Sequence, residues 1–303
     1  MPRRHLVLVS LLALTPLHAA VAGSHGQTKR AKADIVTTAA RAPQLGTLVR
    51  ALAAAELDEA LRGRGPYTVF APTDEAFARL PKGTLDTLLR PENRTQLRRV
   101  LLYHVVEGRL SAQKAGRRSG AETLAGPRLS FVQRGDRLKI DDAKMVLADI
   151  DVANGVIHAI DHVLLPPDLD LVQTATKAGT FKTLLAAADA AGLAEDLRDD
   201  GPLTLLAPTD EAFDRLPRGT VERLLEPGNR DALRLVLANH ILHGRIYADQ
   251  AARAGTADSA AHVSLRFGID DGRLTVDGAR VIRSDIDATN GVVHVIDRVL
   301  VPQ

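Results

Sequence analysis

The sequence predicts an α+β protein made of two tandem copies of one domain, and three observations carry that reading. First, the block GPYTVFAPTDEAFARLP at 65–81 recurs at 201–217 as GPLTLLAPTDEAFDRLP, with 13 of 17 positions identical at an offset of 136. Second, His104 and His240, and Asn154 and Asn290, stand at the same offset, so the copies run in register as domain one, 34–167, and domain two, 170–303. Third, helical stripes fill the first half of each copy and strand-like runs the second, as in an α+β domain. Only Asp168 and Leu169 separate the copies, a linker too short for free tumbling, which predicts two domains in contact across a restricted hinge.

The chain opens on an export address. Met1 to His5 is basic, Leu6 to Leu17 is almost wholly apolar, and Ala20-Val21-Ala22 supplies the small residues a signal peptidase reads. The expectation is a signal peptide over 1–22, a flexible leader over 23–33, and an exported, periplasmic or extracellular protein. Thr15, Pro16 and His18 interrupt an apolar run already too short to span a membrane, and no second such run follows.

Asp34 can cap a first helix, and Leu45, Leu48, Val49 and Leu52 at i, i+3, i+4 and i+7 mark the stripe of a second. Gly63 to Pro66 breaks the pattern. Tyr67 to Ala71 is rich in β-formers and reads as a buried strand, stopped by Pro72; Thr73 or Asp74 then caps a helical turn holding Phe77 and Leu80. Thr209 and Asp210 repeat that cap. A short helix runs from Thr84 to Pro91, and Asn93 with Gln96 three residues on resembles a capping box. Leu97, Val100, Leu101, His104 and Val105 share one face of the helix it opens. The stretch from Gly108 to Pro166 is strand-like, with a hairpin of Leu129–Gln133 and Arg137–Ile140 around Arg134-Gly135-Asp136. A last strand, Val156–Leu165, follows the turn Asn154-Gly155, repeated as Asn290-Gly291.

Composition removes several classes of function. With 39 basic against 37 acidic residues and nine aromatics, the chain lacks the basic stripe and stacking platforms of nucleic-acid binding. The absence of Trp also weakens a carbohydrate-binding reading. No cysteine means no disulfide, thiolate nucleophile or Cys-ligated zinc. No Gly-x-Ser-x-Gly, His-Glu-x-x-His or phosphate loop is present, and Asp74-Glu75 and Asp210-Glu211 are neighbours that point apart on a helix. The sequence therefore reads as no enzyme. Arg over Lys, 31 to 8, with abundant Ala suggests a GC-rich, bacterial genome.

Three blocks of each copy resemble, in order, those of the fasciclin-like domain: TVFAPTDEAFARLP, LLYHVVEGRL and ADIDVANGVIHAIDHVLLP, then LTLLAPTDEAFDRLP, LANHILHGRI and SDIDATNGVVHVIDRVLVP. The resemblance covers about 270 of the 303 residues. It implies a twisted two-sheet β wedge or sandwich with several packed helices, and secreted or surface-anchored adhesion to a cell-surface or matrix protein or polysaccharide. It implies no cofactor. Copy two departs from the family's Tyr-His pair, holding Asn239-His240 where copy one holds Tyr103-His104.

The candidate adhesion or ligand surface is Arg134, Gly135, Asp136, Tyr103 and His104. Arg134-Gly135-Asp136 is the tripeptide that integrins recognise, although chance alone supplies about 0.2 such tripeptides at this composition, and a Gly-Asp turn beside one of many arginines accounts for it equally. His104 and His240 lie on apolar helix faces, where a buried imidazole ordinarily bonds to backbone. His158 and His294 on the last strand pair with them in an alternative reading, a small-ligand or metal carrier, though two neutral nitrogens make a poor zinc site. A self-associating structural protein is the other alternative. Asp149-Ile150-Asp151 before Asn154-Gly155 superficially matches a calcium loop but has Asn at the sixth position and Ile160 in place of the closing Glu. These carboxylates, and Asp285 and Asp287 in copy two, are expected to bond turn amides.

Overall fold

A computed structural model describes residues 32–199 and 201–302; the expected signal peptide, and all of the leader but Lys32 and Ala33, lie outside the described residues. Domain one runs α1 (Ile35–Arg41), α2 (Gly46–Ala54), α3 (Asp58–Arg62), β1 (Tyr67–Pro72), α4 (Asp74–Ala78), α5 (Thr84–Leu88), α6 (Arg94–Tyr103), β2 (Val105–Glu107), α7 (Ala112–Ala115), β3 (Gly120–Glu122), β4 (Arg128–Arg134), β5 (Arg137–Ile140), β6 (Ala143–Val152) and β7 (Gly155–Ile160). Domain two repeats the order with α8 (Leu171–Ala178), α9 (Lys182–Ala191), α10 (Asp196–Asp199), β8 (Leu203–Pro208), α11 (Asp210–Asp214), α12 (Thr220–Leu224), α13 (Arg230–Ala238), β9 (Ile241–His243), α14 (Ala248–Ala254), β10 (Thr256–Asp258), β11 (Ser264–Asp270), β12 (Arg273–Val276), β13 (Ala279–Ala288) and β14 (Gly291–Ile296).

Each domain hangs on a β-rich strand that pairs with the last strand of its own copy. β1 runs parallel to β7 from Tyr67↔Gly155 to Pro72↔Ile160, and β8 to β14 likewise. The full order is β2-β1-β7-β6-β5-β4-β3, antiparallel apart from the β1–β7 pair. A bridge from Val106 to Thr123 brings the two ends of the ribbon together, bending it into a wedge. Alternation along β1 divides the core: Val69 and Ala71 face a helical layer with Leu48, Leu52, Leu97 and Leu101, while Phe70 faces the inside of the wedge with Leu129, Phe131 and Ile140. Among the described residues no helix is long and apolar enough to cross a membrane.

Several expected caps form as read. Asp34 accepts from Thr37 N at 2.7 Å, and Thr73 and Thr209 accept from Ala76 N and Ala212 N at 3.2 and 3.3 Å. Asp74 and Asp210 reach further than the sequence suggested: they accept from Thr47 N and Thr183 N at 2.7 and 2.8 Å, at the starts of α2 and α9. Those bonds hold the Asp74 carboxyl below its ordinary range.

Other expectations are corrected. Asn93 makes no side-chain cap on α6; its side-chain amide donates to Thr87 O at 2.7 Å, reaching back from the 3-10 turn begun by Pro91 to α5. Val105 leaves the helix because pairing with Val69 draws it into β2. The last strand ends at Ile160, where Asp161 turns its carboxylate to Lys144 N. The strand-like half also contains a helical turn, α7. Asp149 caps that turn, accepting from Ala112 N at 2.9 Å, and Asp285 does the same for Ala248 N at 2.8 Å; neither bonds the Asn-Gly turn.

The Asn-Gly turn itself is a tie across the domain. Asn154 Oδ1 accepts from Ile35 N at 2.9 Å and its amide donates to Leu61 O and Gly63 O at 2.7 and 2.9 Å; Asn290 repeats this with Leu171, Leu197 and Arg198. A Cβ on Gly155 would stand 2.0 Å from Tyr67 O, so only glycine lets β7 approach β1. Asn154→Ala strips three backbone groups of their partner in the interior. We expect it to lower unfolding stability by about 2–3 kcal/mol, read from urea unfolding at pH 7.

Candidate functional site

The four histidines are set by backbone on both ring edges. His104, 1% exposed, places Nδ1 at 2.8 Å from Val100 O and accepts from Leu164 N at Nε2, 3.0 Å away. His240 repeats this with Val236 O and Leu300 N at 2.8 and 2.9 Å. On the last strands, His158 and His294 place Nε2 at 2.8 Å from Leu110 O and Ile246 O, and accept at Nδ1 from Asp149 N and Asp285 N. One nitrogen donates and the other accepts, so all four rings are neutral and keep no free lone pair for a metal. Burial drives His104 and His240 down to about 4 and lowers His158 and His294. No group of three or more metal-ligating side chains gathers among the described residues.

Tyr103 and His104, named with the Arg-Gly-Asp tip as a surface, lie inside the protein, Tyr103 only 4% exposed. The hairpin tip does lie outside: Arg134, Gly135 and Asp136 are exposed, and Gly135 turns the chain at φ +57 with open space where a Cβ would point. Copy two carries Asp270-Asp271-Gly272 there.

Tyr103 belongs to a polar cluster joining the two domains. Its hydroxyl donates to Asp141 at 2.9 Å and stands 3.2 Å from Arg128 O. Arg128 N donates to the Tyr247 hydroxyl at 2.9 Å, which donates to Asp287 at 2.7 Å. The Arg128 guanidinium lies 4.9 Å from the centre of the Tyr247 ring, 2.6 Å from Asp249 and 2.6 Å from Ser119 Oγ. Arg245, its side chain 5% exposed, sits 3.5 Å from Asp287 and donates to the carbonyls of Ala288, Thr289 and Gly291. Charge-assisted bonds and a cation over an aromatic face, both partly desolvated, gain most in such a place. Burial raises Asp141 and both tyrosines, and pushes Asp287 up to about 6, with nearby Asp141 adding to that rise.

Sequence reasoning missed Arg128, Arg245, Tyr247 and Asp249, and it expected Asp287 to bond turn amides where the carboxylate instead accepts from the Tyr247 hydroxyl. A signal for three of them was present in the repeat. At the 136 offset Arg128 answers Ser264, Tyr247 answers Ser111, and Asp249 answers Gln113. The same logic explains Asn239 opposite Tyr103. Away from the junction, Asn239 donates to Leu300 O and accepts from Ser259, all within domain two. Copies that meet head to tail present different faces to one contact, so the contact needs different residues from each.

A model of the Fasciclin domain matches residues 43–166 and again 179–302. Transforming growth factor-beta-induced protein ig-h3 of Sus scrofa is 34% identical over 253 residues, 80% of this chain and 35% of that protein. Protein sll1483 of Synechocystis sp. is 48% identical over 134 residues, 44% of this chain and 73% of that protein. Among solved structures, a FAS1 domain pair from the insect cell adhesion molecule Fasciclin I covers 85% of this chain and 97% of that one, with TM-score 0.44 and 19% identity. The chain thus spans about a third of the length of ig-h3.

Two pH effects of opposite sign follow. His104 and His240 bind a proton near 6.5 when unfolded and near 4 when folded, so their contribution is complete above 6.5 and is lost as pH falls toward 4. Urea midpoints at pH 7 and 4.5 should show that loss, roughly 3 kcal/mol for each ring if fully developed. Asp287 instead keeps in the folded state a proton that the unfolded chain releases above 3.8, so its contribution weakens as pH rises to about 6. Asp287→Asn, permanently neutral, should therefore stabilise the protein above pH 6 by about 1–3 kcal/mol and match the wild type below 3.8; equal stability at both pH values would overturn that assignment.

Proposed function

Because the chain belongs to the fasciclin family as a tandem pair of its domains, we propose that it is an exported adhesion protein that meets a cell-surface or matrix component through the outer surfaces of two joined domains. The observation that carries the reading is the junction. Arg128, Tyr247 and Asp249 tie the domains together, so a partner meets one composite surface rather than two beads on a string. The four buried histidines are engaged with backbone, and each buried side-chain N or O among the described residues has a partner, so the reading rests on the outer surfaces rather than on the interior. We place the protein outside the cytoplasm on the basic-apolar-small pattern of 1–22.

The test is attachment of the producing organism's cells to surfaces coated with the folded exported chain, with heat-denatured protein as control. Fold-dependent attachment is the expected result. Equal attachment to denatured protein removes the reading, and self-association without attachment moves it to the structural alternative. For the Arg134-Gly135-Asp136 tip, Asp136→Glu keeps the charge and lengthens the arm; it should abolish attachment of integrin-bearing cells if the tip is adhesive, and unchanged attachment leaves the tip a turn.

A further inference from the structure

A surface built by both copies follows from the shared sequence pattern rather than from the accidents of one domain, and one such surface is a groove where the wedge splays. The ladder between β5 and β6 holds two residue pairs, Lys139↔Lys144 and Ile140↔Ala143, after which β6 pairs with β7 alone. Register shifts between Met145 and Leu147 and between Leu147 and Ile150 break the regular course of β6 along β7, as extra residues on one strand do. Asp149 holds the start of α7 against the same strand, and α7 forms the facing wall. The result is an open groove of about 810 Å³ floored by Leu138, Met145 and Val146. Val146 is 61% exposed, an apolar side chain turned to water.

Domain two builds the same groove, about 630 Å³. β12 and β13 share only Thr275↔Arg280 and Val276↔Ala279, and β13 carries the same two shifts. Every residue lining this groove stands 136 positions after one lining the first. The rims differ in charge. The first groove carries Arg117, Arg137 and Lys144 against one carboxylate, Asp136, and none of these cations enters an ion pair among the described residues. At the second, Arg280 lies 3.6 Å from Asp270, and Asp249 stands in place of Gln113. In a chain of 39 basic and 37 acidic residues, the surplus at the first groove is a local property.

We propose that the domain-one groove docks an extended acidic segment of a partner protein, whose backbone adds to the free edge of β6 beyond Lys144 while its carboxylates meet Arg117, Arg137 and Lys144. Strand addition supplies affinity through main-chain bonds, and alternate apolar side chains of the segment settle on the floor. The open length of the groove and its strand edge favour a peptide over an aliphatic tail, which gains most from an enclosed pocket. This deepens the adhesion reading by giving it a surface and rests on that reading for its setting; the binding assay and cell attachment can fail independently.

The probe is a labelled, end-blocked octapeptide of alternating Asp and Val, titrated by fluorescence polarisation into the full exported chain. Saturable binding is expected. Arg137→Glu with Lys144→Glu should weaken it about tenfold or more with an unchanged unfolding midpoint, since both side chains are exposed, and methylating alternate peptide nitrogens should do the same. Arg273→Glu should leave it unchanged. Absence of saturable binding, equal binding of a Lys-Val peptide, or full binding of the methylated peptide overturns the proposal. So does a concentration-dependent dimer of the unliganded protein that the double variant abolishes, because it assigns the groove to a second copy.

Discussion

Parallel pairing of β1 with β7, and of β8 with β14, is the constraint on which the rest of each domain depends. Parallel strands cannot be joined by a tight turn, so everything from Thr73 to Asn154 must leave the first strand and return to the last. That excursion supplies α4 to α7 and β2 to β6, which cover one face of the pair or fold back as the second leaf of the wedge. Both strands are therefore almost wholly buried. The close approach of Gly155 to Tyr67 O and the three bonds of Asn154 then fix where the pair begins, and Asn290 with Gly291 does this again in copy two.

The buried polar residues follow from the same constraint. Segments that leave a sheet carry backbone groups that no ladder satisfies, and an unpaired buried N–H or C=O is costly. His104 joins the end of α6 to the segment after β7, and His158 joins β7 and its bulged partner to Leu110. A neutral imidazole is suited to this work because it offers one donor and one acceptor on opposite edges of a flat ring. Their depressed proton affinity is a consequence of the role, and it places their contribution to stability on the neutral side of pH 6.5.

The junction is where two nearly identical domains stop being alike. Each could fold on the shared pattern, but a head-to-tail contact asks one copy for Tyr103 and Arg128 and the other for Tyr247 and Asp249. The grooves show the complementary case: both copies build the same concavity from the same strand shifts, and the charges on the rim then distinguish them. Divergence within a repeat thus marks contact, and persistence marks architecture.

Much of this was legible in the sequence because its causes are local. The Asp34 and Thr73 caps, the buried strand from Tyr67 and the hairpin around Gly135 each depend on residues within a turn or two of one another, and the offset of 136 is read by matching such local blocks. Periodicity could not show that Val105 would leave its helix for β2, that Asp74 would cap α2 some 27 residues away, or that Asp149 would cap α7 at a separation of 37. Nor could it bring Arg128 to Tyr247, 119 residues on. By itself the sequence determined the two-domain α+β plan and the apolar faces, because hydrophobic spacing and capping act within one element. Only the tertiary structure decided which polar groups meet, because a hydrogen bond depends on atoms a few ångströms apart in space and not on their distance along the chain.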